Sequence, residues 1–114
     1  MKNIYLILFL IFFTSNIFGQ EKNRKIEQVG DLFEVTIYYD NGQIMQHGFL
    51  SKNKKLHASW ESYYEDGSRK CVAIYDNGVK VGTWFYYDID KKKTKVIYDN
   101  NKIISAEKVD SIHN

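Results

Sequence analysis

The chain has 114 residues, of which 44% are apolar and 26% charged, with 16 basic side chains against 14 acidic ones. A formal net charge of +2 gives no case for a nucleic-acid partner, which draws on a strongly basic face. A single cysteine, Cys71, excludes an internal disulfide framework, and the length suits one small domain.

In chain order, Lys2 gives a positive start and Ile4 to Phe13 is an apolar run. Thr14-Ser15-Asn16 and then Gly19, at a plausible cut, follow it. This is the pattern of a secretory signal peptide, and the run falls short of the about 20 apolar residues that a membrane span needs. The expectation is a cleavable signal-peptide helix over residues 1–19 and a mature chain exported to the periplasm or beyond the cell. An uncleaved N-terminal anchor is the alternative. Anchoring through a lipidated cysteine at the cut is excluded, because the only cysteine is Cys71.

Residues 20–31 open with Glu21-Lys22-Asn23-Arg24-Lys25 and are expected to form a flexible lead-in. A repeat domain is expected over 32–109, with a frayed tail over 110–114. From Leu32 the sequence alternates: Phe33, Val35, Ile37 and Tyr39 share one face of a strand, Glu34, Thr36 and Tyr38 the other. Asp40-Asn41-Gly42 is a hairpin turn, expected in type I′ geometry. Gln43 to Leu50 is the return strand, and Ser51 to His57 a lysine-rich connection.

The turn signal returns along the chain. It reads Tyr39-Asp40-Asn41-Gly42, Tyr64-Glu65-Asp66-Gly67, Tyr75-Asp76-Asn77-Gly78 and, in a worn copy, Tyr98-Asp99-Asn100-Asn101. Between these stand Ala58-Ser59-Trp60 and Gly82-Thr83-Trp84. Aligned units place Val35, Trp60 and Trp84 in one slot and Tyr38, Tyr63 and Tyr87 in another. Gly42, Gly67 and Lys91 share a turn slot, and Leu50, Tyr75 and Tyr98 close the units. The spacing of 25 and then 24 residues accommodates two strands and two turns per unit. The fold expected is all-β: an antiparallel β-meander of six or seven strands, its stacked hairpins forming one elongated sheet that ends near Ile103 to Val109. A short helix over Lys102 to Asp110 is the alternative for the last element. The absence of proline suits strands that all donate to ladders.

From Val35 to Ile103 these residues resemble the MORN-repeat family in its bacterial variant form. Gly82-Thr83-Trp84-Phe85-Tyr86-Tyr87 and Tyr75-Asp76-Asn77-Gly78 carry the likeness. Val35 replaces the tryptophan in the first unit, Ala58 the glycine in the second, and Lys91 the turn glycine in the third. The resemblance implies hairpins stacked into an elongated sheet that serves as an interaction or membrane-proximal module, some members being labelled antitoxin-like. Similar small exported chains sometimes carry a nicotinate-mononucleotide adenylyltransferase label. That chemistry needs a His-x-Gly-His type phosphate site on a parallel α/β frame, and His47-Gly48-Phe49-Leu50 has no second histidine.

The aromatic residues have two readings. They are the cross-strand pairs that replace a conventional core, or one tyrosine of each doublet joins an exposed ribbon. On the second reading the contact residues are Tyr38, Tyr63, Trp60, Trp84 and Tyr86, facing a protein or cell-envelope partner. Lys52, Lys54 and Lys55 in one loop, and Lys91, Lys92, Lys93 and Lys95 around another, are solvated tips or contacts for an anionic glycan or envelope surface. Asp40, Asp76, Asp88, Asp90 and Asp99 read as turn residues, since no loop has the alternating oxygens of a calcium site. No metal, cofactor or catalytic residue is expected, and self-association through sheet edges is an open possibility.

Overall fold

The computed structural model describes residues 23–109, which form nine strands and no helix. The strands are β1 (Arg24–Val29), β2 (Leu32–Tyr38), β3 (Ile44–Leu50), β4 (Leu56–Tyr63), β5 (Arg69–Asp76), β6 (Val79–Lys80), β7 (Gly82–Tyr87), β8 (Lys93–Asp99) and β9 (Lys102–Val109). Their order in the single sheet is β1-β2-β3-β4-β5-β7-β8-β9, with β6 also paired to β5, and every pairing is antiparallel. The architecture is an open antiparallel meander. The expected signal-peptide helix over 1–19 and the tail over 110–114 lie outside the described residues.

One element assignment changes. Arg24–Val29, placed in a flexible lead-in, forms β1 instead: Ile26 sits opposite Val35, and Gly30 at φ 63° turns the chain into β2. Charged neighbours on the outward positions hide that single inward apolar residue. Lys102–Val109 is strand β9, ending the meander where it was expected to end, and the alternative of a short helix there falls. With the two-residue β6, β1 raises the strand count to nine.

Strand alternation gives the sheet two unlike faces. Val35, Leu50, Trp60, Ala73, Trp84 and Val96 lie on the inner face and are buried. The outer face is polar and mixed. One row of partners crosses it from Thr36 through His47, Glu61, Val72, Phe85 and Lys95 to Glu107.

The hairpin loops at one end of the sheet share a geometry that differs from type I′. In Tyr39–Gln43, the Gly42 N–H donates to the Tyr39 carbonyl at 3.0 Å, and the Tyr39 N–H donates to the Gln43 carbonyl at 2.8 Å. Gly42 alone of this loop has positive φ, at 91°. This is a type I turn closed by one left-handed residue, the geometry of a three-residue loop. Tyr64–Ser68 and Asp88–Lys92 repeat it, with Gly67 at φ 92° and Lys91 at φ 67°. At the opposite end Ser51–Lys55 has the same geometry, with Lys54 at φ 65°, while the two-residue connections Asn77-Gly78 (49°, 89°) and Asn100-Asn101 (53°, 74°) are type I′ turns.

A non-glycine residue in the left-handed region costs about 1–2 kcal/mol, partly offset by the chain freedom a glycine loses, roughly 0.5–1 kcal/mol. Lys91→Gly is therefore expected to stabilise the fold by up to about 1 kcal/mol, read as a raised urea midpoint at unchanged slope. Lys91→Ala, which keeps the strain, should give no gain.

Candidate interaction surface

The two small-x-Trp segments form a bulge that supplies its own hydrogen-bond donor. His47 pairs with Glu61 and Phe49 with His57, so residues 58–60 of β4 face Gly48 alone on β3. Ala58 takes the kink at φ 61°, and its counterpart Gly82 in β7 does so at φ 74°. The kink swings the Trp60 indole over Gly48, where any Cβ would overlap its ring. The bulge interrupts the ladder, and the indoles donate to carbonyls beside it. Trp60 Nε1 donates to the Phe49 carbonyl at 2.8 Å, and Trp84 Nε1 to the Ile74 and Val81 carbonyls, both at 3.1 Å.

This corrects the expected contact residues. Trp60 and Trp84 are 4% and 2% exposed; they are core, not surface. Trp84 anchors a ring cluster, with centroids at 4.7 Å to Tyr98, 5.1 Å to Tyr75 and 6.0 Å to Tyr86. Tyr86 is on the same inner face, packed against the core, with its hydroxyl 3.1 Å from that of Tyr98. Their parity decides the matter: Trp60, Trp84 and Tyr86 share the face of Val35, and burying such rings outweighs displaying them.

Tyr38 and Tyr63 lie on the other face, both partly exposed, and the structure sets Tyr87 in line with them. Tyr38 is opposite Ile44, Tyr63 opposite Arg69 and Tyr87 opposite Lys93. The Tyr63 hydroxyl donates to Glu61 at 2.8 Å, and Arg69 approaches the same carboxylate at 4.0 Å. Lys93 Nζ lies 4.4 Å from the Phe85 ring centroid and 5.8 Å from that of Tyr87. Nearby on this face, His47 Nε2 is 2.8 Å from Glu34 Oε2. The five expected contact residues are thus split across two faces. Tyr87, Phe85 and Arg69 are the members that sequence reasoning passed over, while Lys93 was expected as a solvated tip or a contact for an anionic surface. The signal for Tyr87 was its repeat slot, shared with Tyr38 and Tyr63.

The second tyrosine of the first two doublets has a separate task. The Tyr39 hydroxyl donates to the Tyr63 carbonyl and that of Tyr64 to the Tyr87 carbonyl, both at 2.7 Å. Each ties one unit to the next.

Burial pushes the Tyr75 phenol well above its usual range, and burial with the Tyr98 contact does the same for Tyr86. Both stay neutral in the fold, whereas in the unfolded chain they ionise near pH 10. Their neutral burial therefore stabilises fully below about pH 10 and loses that effect as pH rises further. For Tyr75 the expected slope is about 1.4 kcal/mol per pH unit. Tyrosinate absorbance should rise in two stages, the second coincident with loss of the β-sheet circular dichroism. The buried Tyr75 hydroxyl has no hydrogen-bond partner among the described residues, so Tyr75→Phe should raise stability by about 1 kcal/mol and move the alkaline midpoint upward.

Among the described residues no group of three or more His, Cys, Asp and Glu side chains is placed to hold a metal ion. Cys71 lies half-buried on the inner face, opposite Ser62 and Tyr86. Comparison of the chain with protein-family models, with curated proteins and with solved structures finds no match.

Proposed function

We propose that this chain is an exported, non-catalytic β-repeat module of the MORN-variant kind, whose outer face binds a protein of the cell envelope. One observation carries the reading: Tyr38, Tyr63 and Tyr87 recur in equivalent slots on the polar face, partly exposed, beside Ile44, Arg69 and Lys93. Successive members stand two strands apart, roughly 10 Å at ordinary strand spacing. The rings of the core account for the inner face; these three lie outside it. Tyrosine and arginine are the side chains that most often dominate binding energy when a partner covers them.

The double variant Tyr63→Ala/Tyr87→Ala tests this. Retention of the purified protein on an envelope fraction should fall about tenfold or more, a loss typical of a two-residue hot spot, while the folded circular dichroism spectrum persists. Unchanged retention in a folded variant refutes the assignment of this face.

The position of Lys93 over Phe85 favours a second reading, an anionic glycan held by the same rings and the lysine tips. Retention on anionic polysaccharide that drops steeply with salt, and not on protein, would select it. Incubation with nicotinate mononucleotide and ATP addresses the adenylyltransferase label, and no dinucleotide is the expected product.

A further inference from the structure

We propose that the free edge of β9 docks against the β9 edge of a second copy of this chain, in one antiparallel register that sets Lys102 opposite Glu107 of the other copy. The inference is independent of the outer-face reading above.

β9 is paired to β8 on one side, and among the described residues nothing pairs with the other. Every residue from Lys102 to Lys108 is exposed, with Ile103 at 59% and Ile104 at 62%. Such an edge offers a row of unpaired N–H and C=O groups to another strand. The choice of partner comes from the bulge. Tyr98 pairs with Ile103 but Ile97 with Ser105, so Ile104 is an extra residue. Lys102, opposite Asp99, and Glu107, opposite Lys95, therefore share the outer face. Ile103, opposite Tyr98, and Ala106, opposite Val96, share the inner one.

Two copies joined edge to edge by a two-fold axis normal to the sheet must place facing residues on the same face. In an unbroken strand, residues five apart point to opposite faces, and this pairing would be barred. The bulge permits it. Centred between Ile104 and Ser105, the register sets Lys102 against Glu107, Ile103 against Ala106 and Ile104 against Ser105, each twice. The two opposite-charge pairs support each other's strand. Neighbouring registers lack this match. Setting Lys102 against Lys108 opposes like charges and unlike faces, and centring on Glu107 brings two carboxylates together. The other free edge, β1, is shorter, and its isoleucine, Ile26, is partly buried against the core.

Sedimentation velocity on the protein purified from the cells that make it, across a wide concentration range, tests the pairing. A monomer–dimer equilibrium is expected. Lys102→Glu alone and Glu107→Lys alone should each weaken the dimer about tenfold or more, since each creates two like-charge oppositions. The combined Lys102→Glu/Glu107→Lys variant should restore it. Both side chains are exposed, and the Lys95–Glu107 ion pair that Glu107→Lys removes is a surface pair at 3.8 Å of small energetic value, so the monomer fold persists. A protein that stays monomeric throughout overturns the proposal. So does a dimer indifferent to both single exchanges, or one broken by Lys25→Glu on β1 instead.

Discussion

Trp84→Ala is expected to leave little folded protein at ordinary temperature. Truncating a buried tryptophan typically costs about 3–5 kcal/mol. Here the ring is also the hub that Tyr75, Tyr86 and Tyr98 pack against, and each aromatic pair adds roughly 0.5–1.5 kcal/mol beyond its buried area. The Ile74 and Val81 carbonyls lose their indole donor as well. Native domains have about 5–15 kcal/mol in all, and small ones sit toward the lower end. Trp84→Phe separates packing from hydrogen bonding: it keeps a ring among the tyrosines, removes the donor, and should cost about 1–3 kcal/mol. Urea unfolding followed by far-ultraviolet circular dichroism measures both. An alanine variant less destabilised than the phenylalanine one would contradict the described packing.

Gly48→Ala should be nearly as damaging, although it adds a single methyl group. The new Cβ would overlap Cγ, Cδ2 and Cε2 of Trp60, the interior of the ring rather than a mobile tip. Trp60 is itself held by its bond to the Phe49 carbonyl, so it has no easy retreat. Overpacking typically costs about 1–3 kcal/mol and occasionally more, and a methyl placed inside a ring belongs at the upper end of that range. The cause is tested by a double-mutant cycle. In a Trp60→Leu background the same glycine substitution should cost less than about 1 kcal/mol, a coupling typical of residues that touch. Gly42→Ala is the contrast. Nothing lies within 4 Å of its added Cβ, and only the backbone at φ 91° objects, for about 1–2 kcal/mol.

Much of the architecture was legible because the repeat is written in turn residues and alternation, both local signals. The beginning of β2, the hairpins and the all-β class follow from them. What escaped depends on neighbours in space. Loop type turned on one residue of spacing: three residues between Tyr39 and Gln43, two between Asp76 and Val79. Lys91 and Lys54 occupy left-handed positions, at 67° and 65°, that only glycine or asparagine would have announced. The small-x-Trp segments looked like display motifs because the bulge that buries the indole lies between strands, not within one. The exception in the first unit then explains itself. β1 and β2 pair without interruption from Arg24↔Ile37 to Val29↔Leu32, so there is no bulge for an indole to fill, and Val35 suffices where later units place a tryptophan. Of the candidate surface, the sequence located Tyr38 and Tyr63 but took Tyr86 in place of Tyr87, since a doublet does not state which ring faces out.

In the third loop, Asp88 stands where the first two units have the tyrosines that reach across to a following unit. Its carboxylate turns back on its own loop and accepts the Asp90 and Lys92 N–H groups, both at 2.9 Å. The tie that the first two loops make to a following unit is thus missing at the third. In a stack held by nearest-neighbour contacts, that leaves this end less firmly fastened, and fraying under mild denaturant should begin there and travel inward.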